Sequence, residues 1–125
     1  MKKTGILNAE LSRVVATLGH GQMLVIGDAG LPVPPGVPCI DLAVRAGVPG
    51  FWDVLDTVLT EMEVERAVVA EEAGANVMAA FAERLEVERV SHEALKVMSA
   101  EAVAVVRTGE TVAYSNVVLV SGVVF

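Results

Sequence analysis

Apolar residues along the chain fall into two kinds of group. In the first they recur at helical spacing: Leu11, Val14, Val15 and Leu18 follow Asn8, a capping residue type, and Gly19 supplies a stop. Phe51, Val54, Leu55, Val58, Leu59 and Met62 line one face of a second helix after Gly50, and Met78, Phe81, Ala82 and Leu85 mark a third. A short fourth helix carries Leu95 and Met98 behind a Ser91 cap. In the second kind the apolar residues run together, at Met23 to Ile26, Cys39 to Val44, Arg66 to Ala70, Val87 to Val90, Ala102 to Val106 and Val117 to Val120, and these read as strands. The strands lack clean two-residue alternation, so their sheet is expected to be covered on both faces, with the alternating helices as cover. The pattern predicts one three-layer α/β/α domain over residues 1–125 with a mainly parallel sheet. Pro32, Pro34, Pro35 and Pro38 exclude helix and central strand alike, leaving an ordered connection after the first strand.

Composition sharpens this picture in three ways. The lone Cys39 has no partner within the chain, which points to a reducing cytoplasm rather than a secreted, disulfide-stapled domain. Polar Asn8 and charged Glu10 interrupt the amino terminus before a signal-peptide core develops, and no run approaches the roughly 18 apolar residues of a spanning helix. Hydrophobic content of 54% in 125 residues then implies burial between subunits, so a homo-oligomer is expected. A net charge of −7 without a lysine or arginine stripe argues against nucleic acid and leaves no basis for a membrane partner.

Candidate chemistry is sparse. Two histidines and one cysteine do not make a convincing zinc or iron–sulfur ligand set, so no metal is expected. Gly27-Asp28-Ala29-Gly30 follows a strand as a dinucleotide fingerprint would, but the prolines behind it forbid the helix that should hold pyrophosphate. Ser12, His20 and Asp28 compose a nominal triad without a nucleophile elbow, a coincidence any chain of this size offers. His20, between Gly19 and Gly21, reads equally well as a helix-terminal cation or as a group with room for a ligand, with Asp28 one short strand away. Asp28 itself is a common turn former, yet it ends a strand where α/β sheets collect their sites. His92 reads most simply as the first turn of a surface helix, Tyr114 and Asn116 as the approach to the last strand, Trp52 and Phe81 as core, and Glu71-Glu72 as a solvated strand end.

Taken together, KKTGILN, LGHG, DAGLPVP, VLTEMEVERAVVAEE, SHEALK and VRTGETVAYSNVVLVSGV make the chain resemble the D-ribose pyranase family over nearly its whole length, with the fucose mutarotases as relatives. The resemblance implies interconversion of pyranose and furanose forms of free D-ribose without a cofactor. It matches His20 to the catalytic proton donor and Asp28, His92 and Tyr114-Ser115-Asn116 to sugar-binding positions, in a ring-shaped decameric homo-oligomer with sites between subunits. Gly21-Gln22 stands where Thr-Asp is expected, Ala113 where a proline is, and Ser115 where an alanine is. Two competing readings are a fucose mutarotase, where an arginine is expected in place of His92, and a non-catalytic sugar-binding accessory protein, which has no need of a titrating His20.

Overall fold

The computed structural model describes all of residues 1–125. Its elements follow the order α1 (Ala9–Thr17), β1 (Met23–Gly27), β2 (Cys39–Asp41), α2 (Phe51–Leu59), β3 (Val64–Ala70), α3 (Ala75–Ala82), β4 (Glu88–Val90), α4 (His92–Ser99), β5 (Ala104–Arg107) and β6 (Val117–Ser121). The caps act as their residue types require: Asn8 Oδ1 accepts from the Leu11 N–H at 2.9 Å, and Ser91 Oγ accepts from the Ala94 N–H at 3.1 Å. Most boundaries shift by one to three residues, and two of the shifts bear on the site and its surroundings. Helix α1 stops at Thr17 because Leu18 already has extended backbone, so His20 lies in a turn beyond the helix. Strand β2 ends at Asp41, after which an Arg45–Val48 bridge closes a separate small loop.

The six strands form one sheet in the order β2-β5-β1-β6-β3-β4. Pairs β2/β5, β5/β1 and β3/β4 are parallel, and β6 alone runs against its neighbours β1 and β3. This orientation follows from the connection, since no crossover helix separates β5 from β6. The chain leaves β5 on one side of β1 and returns as β6 on the other, drawing residues 108–116 across the carboxyl end of β1.

Both faces are covered, by different means. Leu24, Ile26, Val69, Val106 and Leu119 pack with residues of α1, α2 and α3. On the other face Val25, Val68, Val105 and Val118 meet Leu95 of α4, while Leu31, Val33 and Val37 of the proline-rich connection take the place of a second helix. Phe51 and Phe81 are fully buried and meet each other and half-buried Trp52 edge-on, at centroid distances of 4.8 to 5.6 Å. No helix is long and apolar enough to cross a membrane.

Candidate active site

The carboxyl end of β1 is bound to the returning loop. The Thr108 N–H and hydroxyl both donate to the Gly27 carbonyl, at 3.0 and 2.8 Å, and the Ala29 N–H donates to the Glu110 carbonyl at 2.9 Å. A side chain at Gly27 would place its Cβ 2.5 Å from Leu31 Cδ2 and 3.0 Å from Asn116 Oδ1, so glycine permits this close approach. Asp28 is held from three directions. Its N–H donates to Asn116 Oδ1 at 2.8 Å, while its carboxylate accepts from Asn116 Nδ2 at 3.1 Å and from the Gly30 N–H at 3.0 Å. Each carboxylate oxygen thus has one protein donor and spare lone pairs for a ligand hydroxyl.

Asp28, His92, Glu110, Thr111 and Tyr114 line a cleft of about 430 Å³, with Ala29, Gly30, Leu31 and Ala113 as its apolar part. His92 opens α4, and its N–H donates to both carboxylate oxygens of Glu72, at 3.0 and 2.9 Å. Both residues of the Glu71-Glu72 pair are exposed at the end of β3, as expected, and Glu72 in addition caps the start of α4. The His92 and Tyr114 rings stand edge to face with centroids 5.1 Å apart, and His92 Nδ1 is buried without a partner. Tyr114 has φ of 62°, a left-handed conformation that costs a non-glycine residue about 1–3 kcal/mol, and it turns the loop into β6. Glu110 braces the rim: its Oε1 accepts from the Thr111 and Val112 N–H groups at 3.0 Å each, and its Oε2 accepts from the Phe51 N–H at 3.2 Å.

The residues singled out in the sequence are therefore distributed rather than gathered. Asp28, His92 and Tyr114 face one cleft, Asn116 stands behind Asp28, and Ser115 is 1% exposed with a hydroxyl that has no partner. His20 is elsewhere. It precedes β1 whereas Asp28 follows it, and five strand residues at about 3.3 Å each put the two roughly 16 Å apart. The short strand between them separates them; within one chain Asp28 does not support His20. The partner of His20 is Glu65, whose Oε2 lies 2.8 Å from His20 Nε2. Sequence reasoning singled out neither Glu65 nor Glu110, and both are acidic residues whose partners are 45 and 59 positions away. No cluster of three or more His, Cys, Asp or Glu side chains is placed to hold a metal ion.

Comparison with known proteins bears on this arrangement. The model of the RbsD / FucU transport protein family matches residues 1–124. The chain is 58% identical to a D-ribose pyranase of Pseudomonas putida and 54% identical to one of Variovorax paradoxus, in each case over the full length of both chains. Among solved structures, RbsD of Bacillus subtilis complexed with D-ribose superposes with a TM-score of 0.92 at 45% identity, covering all of both chains. The fucose mutarotase of Streptococcus pneumoniae in complex with L-fucose shares the fold at a TM-score of 0.79 and 21% identity. The chain belongs to the RbsD / FucU transport protein family.

Proposed function

We propose that this protein is a D-ribose pyranase, an isomerase that interconverts the pyranose and furanose forms of free D-ribose. The observation that carries the reading is the Asp28, His92 and Tyr114 cleft, with Asn116 locking Asp28, in a chain 45% identical over its length to a ribose-binding RbsD. The chemistry balances within the sugar. A base takes the anomeric hydroxyl proton, an acid protonates the ring oxygen as its bond to C1 breaks, and the neighbouring hydroxyl then adds to the open aldehyde, giving its proton back to the acid while the base returns the first proton to the aldehyde oxygen. Positioned acid–base groups contribute about 10² to 10⁴-fold to such steps. Asp28, His92 and Tyr114 offer directional hydrogen bonds, so a sugar lacking an expected hydroxyl would strand a polar group and bind less well.

His20 is the proton donor in this reading, and the length of β1 keeps it from the cleft of its own chain. We therefore assign each working site to two copies, one supplying the cleft and the other His20, in a homo-oligomer. Exposed Leu7, Val44, Val97, Val112 and Val124 supply apolar surface for such contacts. A heterologous interface of this kind can close into a ring, in keeping with a ring-shaped decamer. Free Cys39 fits a reducing cytoplasm.

Exchange NMR on free sugars tests the reading. Faster pyranose–furanose cross-peaks for ribose in the presence of protein support it. Ribose binding without faster exchange would make the protein a sugar-binding accessory, and acceleration confined to the anomers of fucose would make it a mutarotase; either result overturns the assignment.

A further inference from the structure

The amino end of β1 carries a construction that the cleft does not explain. Strand β3 pairs with β6 through Val64 to Ser121 and Arg66 to Val120, so two steps on β3 match one on β6 and Glu65 is the extra residue of a β-bulge. Bulges bend a strand and re-aim the side chain they carry. Here the re-aimed side chain reaches His20, with 2.8 Å between Glu65 Oε2 and His20 Nε2. Neighbouring Arg66 is committed to Glu88 on β4 at 2.8 Å, and Glu65 faces the histidine instead. Gly122 runs past the bulge so closely that a Cβ there would come 3.2 Å from Glu65 Cβ and 3.4 Å from the Glu65 nitrogen.

The histidine loop is tied from its other side. The Gly21 N–H donates to the Ser121 carbonyl and the Ser121 N–H to the Gln22 carbonyl, each at 2.8 Å, and Gln22 Oε1 accepts from the Gly19 N–H at 2.7 Å. Backbone contacts thus hold the loop, whereas the imidazole, 62% exposed, is held at its tip by Glu65. An ion pair this exposed adds little to stability, which leaves orientation as the service it can perform.

We infer that Glu65 is a positioning residue for the His20 proton donor, an inference that rests on the assignment of His20 above. A carboxylate accepts but does not donate, so Nε2 carries the proton in the pair and Nδ1 is the nitrogen presented to the sugar. His20 then gives its Nδ1 proton to the ring oxygen and becomes the neutral Nε2–H form that Glu65 already holds. The same nitrogen takes a proton from the hydroxyl that closes the new ring.

Single and double substitutions, read by ribose exchange kinetics and by NMR relaxation of the His20 ring in the ligand-free protein, test this. Glu65→Ala should lower kcat roughly tenfold with KM little changed, the mark of a group acting on the transition state rather than on binding. Glu65→Gln, which keeps the shape and an acceptor oxygen, should recover part of that loss and guards against a folding defect. The ring should become more mobile in Glu65→Ala, and the substitution should slow His20→Ala no further. An unchanged kcat with an unchanged ring, or an equal slowing of the His20→Ala protein, overturns the role of Glu65. Full activity in His20→Ala with a ring loosened by Glu65→Ala overturns instead the assignment of His20, and leaves Glu65 as the group that holds the ring.

Discussion

The two ends of β1 are built differently. At the carboxyl end Asp28 is fixed through Asn116 and Gly30, the loop above it through Thr108 and Glu110, and the cleft is shaped before any sugar arrives. At the amino end His20 stands in a glycine-flanked turn with its ring mostly in solvent and one side-chain partner. A binding surface gains from preorganised hydrogen bonds, because a group already held in place loses little freedom when the ligand binds. An acid that completes a site on another copy needs exposure. The contrast accords with the proposal that one chain carries both halves of a site without containing a whole one.

The comparison can be broken at either end. The largest effect is expected at the amino end, where His20→Ala should reduce accelerated ribose exchange by about 10² to 10⁴-fold while leaving the fold intact. Retained activity in the exchange spectrum would remove His20 from the chemistry. At the carboxyl end Asn116→Ala should be the more destructive to stability, since it removes a buried side chain and leaves the part-buried Asp28 N–H without its partner, at a cost of about 1–3 kcal/mol. Thermal unfolding should show a midpoint lower by several degrees together with weaker ribose binding; a loss at His20→Ala of equal size would erase the distinction between the ends. Ser115→Ala removes a buried hydroxyl that has no partner, and chemical denaturation should place it at or above wild type, by up to about 1 kcal/mol. A clear loss of stability would mean that the hydroxyl is satisfied in solution.

Much of this was legible in the chain. Helices α1, α2 and α4 announce themselves through Asn8, the Phe51 to Met62 stripe and Ser91, because local spacing and capping decide them. Asp28 was legible as a strand-end carboxylate and His92 as a helix-opening residue. The direction of β6 was not, since Val117 to Val120 is apolar on both faces and such a run says nothing of which neighbours it joins. Nor were Glu65, Glu72 and Glu110, for their meaning depends on a register shift, a helix 20 residues on and a turn folded back to α2. The separation of His20 from Asp28 was implicit in the strand between them: residues close in sequence are driven apart by extended backbone.

The smallest effect concerns neither end and serves as a control. A hydrogen bond from Arg84 holds the Asp56 carboxyl below its ordinary range. Such a group adds stability above its unfolded pKa of about 3.9 and loses it as pH falls through the lower folded value. Asp56 is half exposed, so the contribution is small. Denaturation as a function of pH should show Asp56→Asn slightly less stable than wild type above about pH 4, with the gap closing in stronger acid and ribose exchange at neutral pH unchanged.

The claim that the site is shared between copies is tested most directly by mixing two inactive proteins. His20→Ala retains the cleft and Asp28→Ala retains the donor, so subunit exchange between them should rebuild wild-type sites wherever the two meet across an interface. Ribose exchange NMR should show activity absent from either protein alone and rising toward about a quarter of wild type in an equal mixture, the random-assembly value for a heterologous interface. Inactivity at every mixing ratio, with subunit exchange verified by mass spectrometry of the intact oligomer, would contradict the account.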